Sequence, residues 1–220
     1  MSTKLDQFAE KVLHCEKTQC PFHQTRPGAY PKFSYGNARA EVMAVFQNPG
    51  QPTYQEQSRT IDTVTVAEMR QWANSGVSSW LGTYIDNLST LEYDTRFFLD
   101  SYYMTQAYRC PDPLDADMVK KRREAMRHCS EHLRQEILVV KPKAILCFGR
   151  EALESVKAIL SPSGRIDGIK TLFSAKKIFE WDGTTVFPLV HPNGYWRSPS
   201  MSKTEYLSIL RWYIDQIESR

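Results

Sequence analysis

The chain has 220 residues, of which 41% are hydrophobic and 24% charged, and its formal net charge is +3. This composition excludes fibrous and disordered classes, and no apolar stretch approaches the roughly 20 residues that a membrane-spanning helix needs. Because the length suits one hydrophobic core and the amino terminus lacks the apolar core of a signal peptide, we expect a single cytoplasmic domain over residues 1–220, with a cysteine-bearing segment, residues 1–40, packed on it.

The predicted elements begin with an amphipathic helix over residues 3–14, followed by a loop rich in Pro, Gly and aromatic residues. The apolar run from Val42 to Gln47 then predicts a buried strand, because Val and Phe favour the packed surface of a sheet. This strand ends in the turn residues Asn48-Pro49-Gly50. Further strands are predicted at Phe98–Tyr108, Lys143–Phe148, Ile178–Trp181 and Val186–Val190. Further helices are predicted at Val64–Ala73, at Ser79–Leu91, from Asp115 or Asp117 to Val139, at Arg150–Leu160 and at Ser202–Glu218.

Strands and helices alternate along the chain, which is typical of α/β proteins. We predict a three-layer α/β/α sandwich around a central, mostly parallel sheet of about four strands. The last two predicted strands flank Asp182-Gly183, a turn signal that favours a hairpin.

Polar side chains follow three of the predicted strands. Asn48 comes after the first, Gln106 lies near the end of the second, and His191 follows the last. The carboxyl ends of parallel strands open on one edge of a sheet, where α/β folds place their ligands. The sequence therefore predicts that these three side chains converge in one crevice, although each alone is typical of a turn or a satisfied core group.

The chain has five cysteines, and we expect them to have two different roles. Cys147 lies in the apolar run KAILCF and is predicted to be a core residue. The others lie in polar surroundings, which suits metal-bound thiolates, whereas a cytoplasmic setting disfavours disulfides. These four, Cys15, Cys20, Cys110 and Cys129, fit an iron–sulfur cluster, with unligated thiols or zinc as alternatives. Spare zinc ligands nearby are His14, His23 and His128.

Basic residues are concentrated in the predicted helix that follows Cys110, at Lys120, Lys121 and Arg122. Lys176 and Lys177 come later in the chain. Such runs are typical of solvated surfaces, but they also follow DNA phosphates.

Several segments form a recognisable series when they are taken in order. Paired amino-terminal cysteines precede VMAVFQNPG, which is followed by YMTQAYRCPDP, HCSEHL, ILVVKPKAILCFGREALESV and VFPLVHPNGYWRSP. In this order they resemble the uracil-DNA glycosylase superfamily, and most closely its iron–sulfur branch, family 4. The resemblance extends from Cys15 to Trp212.

The resemblance implies a monofunctional DNA glycosylase of base-excision repair, which flips out uracil or another deaminated base and hydrolyses its N-glycosidic bond. It implies that Asn48 places the water and that His191 donates a hydrogen bond to the base oxygen, with Gln47 as a further catalytic position. It also implies a [4Fe–4S] cluster on the same four cysteines. The implied base contacts are Phe46, Gly50, Gln106 and one aromatic that stacks on the extruded base, either Trp80, which the following glycine favours, or Tyr54. The implied DNA contacts are Asn193, Tyr195, Trp196 and Arg197 with Lys120, Lys121 and Arg122.

The chain departs from family 4 at two of these positions. Family 4 usually carries GEAPG in its first motif, so Gln47 stands in place of the glutamate, whereas the NPG ending is similar to the mismatch-specific and single-strand-selective branches. Gln106 stands where family members read uracil with asparagine.

Two alternatives to a glycosylase remain, a non-catalytic module that binds DNA or a protein partner, and a nucleoside hydrolase. We expect a monomer that binds DNA, with no membrane partner and no small-molecule cofactor besides the cluster.

Overall fold

A computed structural model of the chain describes residues 4–23, 34–37, 39–48, 101–113, 115–161, 163, 165–191 and 201–219. The strands in these ranges form one sheet of six, in the order β1-β3-β2-β4-β6-β5. They are β1 (Tyr35–Gly36), β2 (Val42–Phe46), β3 (Tyr102–Gln106), β4 (Ala144–Phe148), β5 (Phe179–Trp181) and β6 (Thr184–Leu189). The four inner strands are parallel, and the short edge strands β1 and β5 are antiparallel to their neighbours. The predicted, mostly parallel sheet is confirmed, and one short antiparallel strand extends it at each edge.

Helices cover both faces of the sheet. They are α1 (Lys4–Leu13), α2 (Ala116–Val119), α3 (Arg122–Val140), α4 (Arg150–Leu160), α5 (Ile169–Ser174) and α6 (Lys203–Glu218). One face is packed by Leu133 of α3 and Leu153 of α4, and the other by Tyr206 and Leu210 of α6. The predicted sandwich is therefore confirmed. None of the helices in the described ranges is long and apolar enough to cross a membrane.

Several observed elements differ from the predicted ones. The long predicted helix is divided at Lys121, whose backbone leaves the helical region (φ −84°, ψ 12°), and the Asp115 carboxylate accepts a hydrogen bond from Asp117 N (2.8 Å) at the start of α2. Strand β3 stops at Gln106, two residues earlier than predicted. The short elements β1 and α5 were not predicted. The helices predicted at 64–73 and 79–91 lie outside the described residues.

The short strand β1 depends on glycine. Gly36 has φ +92°, and a Cβ atom there would lie 2.2 Å from the carbonyl oxygen of Tyr102 on β3. Only a residue without a side chain permits this approach of two backbones. The antiparallel edge of the sheet therefore exists because position 36 is glycine.

A buried ion pair joins β3 to α3. Arg109 and Glu136 are 1% and 0% exposed, and their side chains form a salt bridge. The Glu136 carboxylate also accepts hydrogen bonds from Tyr103 (3.0 Å) and Thr105 (2.6 Å), and Arg109 donates to Thr105 (2.7 Å) and Ser34 (3.0 Å). Buried charges persist only when they are paired and hydrogen-bonded in this way. The network fixes the chain just beyond β3 against α3.

Candidate functional site

The carboxyl ends of the parallel strands form the candidate site. Phe46 of β2 lies opposite Gln106 of β3 in the sheet register. Gln47 and Asn48, both half-buried, continue from β2, and His191, also half-buried, comes two residues after the end of β6. The sheet thus brings the predicted polar residues to one edge.

An aromatic group lines this edge. The Phe46 and Phe148 rings are stacked, with centroids 4.6 Å apart and planes at 8°, and the His191 ring meets Phe46 edge-on at 6.3 Å. Gly149 (φ +98°) donates its N–H to the Leu189 carbonyl (2.8 Å), and a Cβ there would lie 3.9 Å from His191 Cβ. The backbone just before His191 is therefore bonded to the start of α4. Flat apolar rings beside a polar ring suit a planar ligand that carries hydrogen-bonding groups.

His191 is neutral at physiological pH. Burial lowers the pKa of its imidazole from the ordinary value of 6.5 to about 4. A neutral imidazole carries one N–H donor and one acceptor nitrogen. The ring can therefore donate a hydrogen bond without bringing a positive charge to the site.

A chain of hydrogen bonds links the end of β2 to the start of α3. Gln47 Nε2 donates to the Tyr108 hydroxyl (2.8 Å), which donates to Asp112 Oδ1 (2.7 Å). Arg122 binds the same carboxylate through Nη2 (2.6 Å) and Nε (3.3 Å). Burial, and then the Asp112 charge, raise the pKa of Tyr108, so the phenol stays protonated. Gln47 is thereby held against Tyr108.

Arg109 orients the Gln106 side chain. Its Nη1 lies 3.4 Å from Gln106 Oε1, and both residues are buried. A guanidinium only donates hydrogen bonds, so the atom facing it must be the amide oxygen. The amide NH2 group of Gln106 is therefore the end turned away from Arg109.

Three cysteines lie together beneath this edge. Cys20, Cys110 and Cys129 are buried in one apolar cluster with Phe22 and Met126. A hydrogen bond from the Cys129 thiol lowers the pKa of Cys20 to about 7, and this bond and burial raise the pKa of Cys129. The prediction of polar surroundings is therefore wrong for these three cysteines, because the amino-terminal segment covers this cluster.

The remaining cysteines have different surroundings. Cys147 is fully buried in β4, as predicted, and burial raises the pKa of its thiol. Cys15 is half-buried and lies in the segment that Lys17 ties to α3 through a hydrogen bond to the His128 carbonyl (2.5 Å).

A bound metal requires several donor side chains at one place. In the described part of the chain, no group of three or more His, Cys, Asp or Glu side chains is arranged to hold a metal ion. The thiols of Cys20 and Cys129 are nevertheless in direct contact. His23 Nε2 lies 2.5 Å from the Cys15 carbonyl, and His14 lies 3.6 Å from Glu10. The donors that lie together in the described residues are therefore thiols, which are the ligands of iron–sulfur clusters and of all-cysteine zinc sites alike.

The predicted basic contacts are partly neutralised. Lys120 pairs with Asp117 (2.7 Å), Arg122 pairs with Asp112, and Lys121 is exposed. The other predicted contacts lie outside the described residues; they are Gly50, Tyr54, Trp80, Asn193, Tyr195, Trp196 and Arg197.

Sequence reasoning missed the residues that support the site. Glu136 occupies the buried stripe of α3 together with Leu133 and Ile137, and an acid on an apolar stripe is a signal for a buried ion pair. The roles of Tyr108 and Asp112 have no comparable signal, because their contacts are made only in the folded chain.

Comparisons with known proteins identify the family to which this chain is similar. The family model described as the uracil DNA glycosylase superfamily matches residues 33–212. A type-4 uracil-DNA glycosylase from Sulfurisphaera tokodaii is 25% identical over 202 residues, which cover 90% of this chain and 79% of that protein. A second type-4 uracil-DNA glycosylase, from Archaeoglobus fulgidus, is 20% identical over 152 residues, which cover 69% of this chain and 63% of that protein.

Proposed function

Because the chain belongs to the uracil-DNA glycosylase superfamily, we propose that it is a DNA glycosylase that extrudes a deaminated base and hydrolyses its N-glycosidic bond. The observation that carries the proposal is the placement of Asn48 and His191 at one edge of the sheet, around the stacked rings of Phe46 and Phe148. The relatives named type-4 uracil-DNA glycosylase support uracil as the first base to test.

His191 stabilises the leaving base. Negative charge develops on a base oxygen as the N-glycosidic bond breaks, and a fixed N–H donor at that oxygen lowers the barrier. The neutral imidazole supplies this donor, and its edge-on contact with the Phe46 ring limits where it can lie. No proton needs to leave His191 in this step.

Asn48 and Gln106 act on opposite ends of the nucleotide. The Asn48 amide places a water molecule at the sugar carbon, where positioning suffices because bond breaking runs ahead of attack. The Gln106 NH2 group, turned away from Arg109, donates to a base carbonyl. A base that carries an amino group in place of this carbonyl would set one hydrogen-bond donor against another. The arrangement therefore favours deaminated bases over the amino-bearing bases from which they derive.

The direct test is release of free base from labelled oligonucleotides that carry uracil or hypoxanthine, in single strands and in duplexes. Extrusion costs a few kcal/mol and is easiest for mismatched or single-stranded bases, so release is expected to be faster from single strands and mismatches than from matched duplexes. No release from any of these substrates, with intact DNA affinity, would favour the alternative of a non-catalytic DNA-binding protein. That alternative draws support from Gln47, an amide where family 4 usually has an acid.

The rate of base release is expected to be independent of pH between about 8 and about 5.5, because the His191 pKa of about 4 keeps the ring neutral throughout that range. Below about pH 5 the ring gains a proton and the rate changes. Single-turnover rates across this range, with the fold checked by circular dichroism at each pH, provide the measurement. An inflection near the ordinary histidine pKa that disappears in His191→Gln would contradict the assignment.

We further propose that Cys15, Cys20, Cys110 and Cys129 hold a [4Fe–4S] cluster. When bound, the cluster supplies a structural cross-link between the amino-terminal segment, the end of β3 and α3. Support comes from the shared burial of three of these thiols and the contact between Cys20 and Cys129. Sulfur ligands of this kind are what iron–sulfur clusters require.

Cys129→Ala is expected to remove most of the bound iron and sulfide and the brown colour from protein purified without oxygen. Cys147→Ala is the matched control, because this thiol lies in the core of β4 and should leave the iron content unchanged. The measurements are metal analysis, acid-labile sulfide and the visible spectrum. A colourless parent protein with stoichiometric zinc would overturn the cluster assignment.

A further inference from the structure

Two adjacent lysines lie at the same end of the sheet as His191. Strand β5 runs antiparallel to β6, with Phe179 opposite Val186, so the residues that precede β5 lie toward the carboxyl end of β6. Lys176 and Lys177 directly precede β5 and are both exposed. They are therefore placed at the carboxyl edge, on the β5 side of the candidate site.

The backbone of this lysine pair is held rigidly. Lys176 has a left-handed conformation (φ +51°), and its N–H donates to the Phe173 carbonyl (3.0 Å). Lys177 N–H donates to the Leu172 carbonyl (3.0 Å), and its own carbonyl accepts a hydrogen bond from the buried Tyr213 hydroxyl (3.0 Å). Both ends of the turn are hydrogen-bonded to core elements, so the two lysine side chains project from a fixed point on the surface.

Their charges are not neutralised by acids. Lys176 Nζ lies over the Trp212 ring (5.4 Å) and Lys177 Nζ over the Phe179 ring (6.0 Å). Neither forms a salt bridge with any carboxylate in the described part of the chain, whereas Lys120 and Arg122 both do. An unpaired cation is available to a phosphate without first breaking an ion pair.

We propose that Lys176 and Lys177 form a phosphate-binding surface that holds the DNA backbone on the β5 side of the extruded nucleotide. The inference rests on the proposed function and adds a contact surface to it. Charge complementarity identifies the partner, because two uncompensated cations on a rigid turn beside the site match the regularly spaced phosphates of DNA. Contacts of this kind position the duplex and carry no sequence information.

The test is the salt dependence of binding to an undamaged duplex. Each phosphate contact contributes about 0.9 to the slope of log K against log salt concentration, so Lys176→Gln/Lys177→Gln should reduce the slope by about 1.8 and weaken binding at low salt. The matched control is Lys141→Gln/Lys143→Gln. Both of its lysines are exposed, Lys141 is also left-handed (φ +53°), and the pair precedes β4 at the opposite end of the sheet. The control differs in one respect, because Lys143 pairs with Glu41 (2.6 Å).

The outcomes separate this surface from the proposed activity. A reduced slope in the first double variant and an unchanged slope in the control support the surface, whether or not the parent protein releases a base. Equal slopes in the parent and the first variant overturn it, even if base release is found.

Discussion

Replacing His191 with alanine is expected to slow base release by about 100- to 1,000-fold, the usual effect of removing one fixed donor from a developing negative charge. The imidazole is neutral, half-buried and packed against Phe46, so no water molecule can reproduce a donor held in this position. The measurement is the single-turnover rate on a single-stranded deoxyuridine oligonucleotide with enzyme in excess.

His191→Gln is the informative companion variant. Its amide keeps an N–H donor near the position of the imidazole, so its rate should lie between those of the parent and the alanine variant. Affinity for undamaged DNA should be equal in all three proteins, because the donor acts on the base and not on the backbone. Equal rates for the parent and His191→Ala would contradict the role proposed for this residue.

Glu136→Ala is expected to lower the free energy of unfolding by about 3–5 kcal/mol, because it leaves the Arg109 guanidinium buried without its counter-charge. Arg109 is 1% exposed and its Nε already lacks a hydrogen-bond partner in the described part of the chain, so neither water nor another acid can compensate. The hydroxyls of Tyr103 and Thr105 lose their acceptor in the same step. Urea unfolding at neutral pH measures the change.

The double variant Arg109→Met/Glu136→Leu separates the ion pair from its packing. Replacing both charges with apolar side chains of similar volume is often neutral, so the double variant should recover much of the loss. Recovery should be incomplete, because Ser34 and Thr105 also lose a partner. A Glu136→Ala protein as stable as the parent would contradict this account of the buried pair.

The sheet was predictable because its strands carry their signal locally. The run from Val42 to Phe46 is apolar and β-branched, and it forms an inner strand buried along almost all its length. Parallel packing then follows from alternation with helices, and the meeting of the strand ends follows from parallel packing. The family resemblance, drawn from motifs on those strand ends, is confirmed by the match over residues 33–212.

Contacts between distant segments were not predictable in the same way. The sequence shows Arg122 within a basic run, but its pairing with Asp112 depends on how the chain turns between β3 and α3. The polarity of a cysteine's neighbours in sequence likewise says little about its neighbours in space. Cys129 follows a histidine and precedes a serine, yet it is buried beside Cys20, more than a hundred residues earlier in the chain.

The hydrogen bond between Gln47 and Tyr108 has a fixed polarity, and this explains why position 47 is an amide. The single hydroxyl proton of Tyr108 is donated to Asp112, so the phenol offers only lone pairs to Gln47. An ionised glutamate has no proton to donate, and its oxygens would repel the phenol oxygen. An ionised acid at position 47 would therefore compete with Asp112 for the single Tyr108 proton.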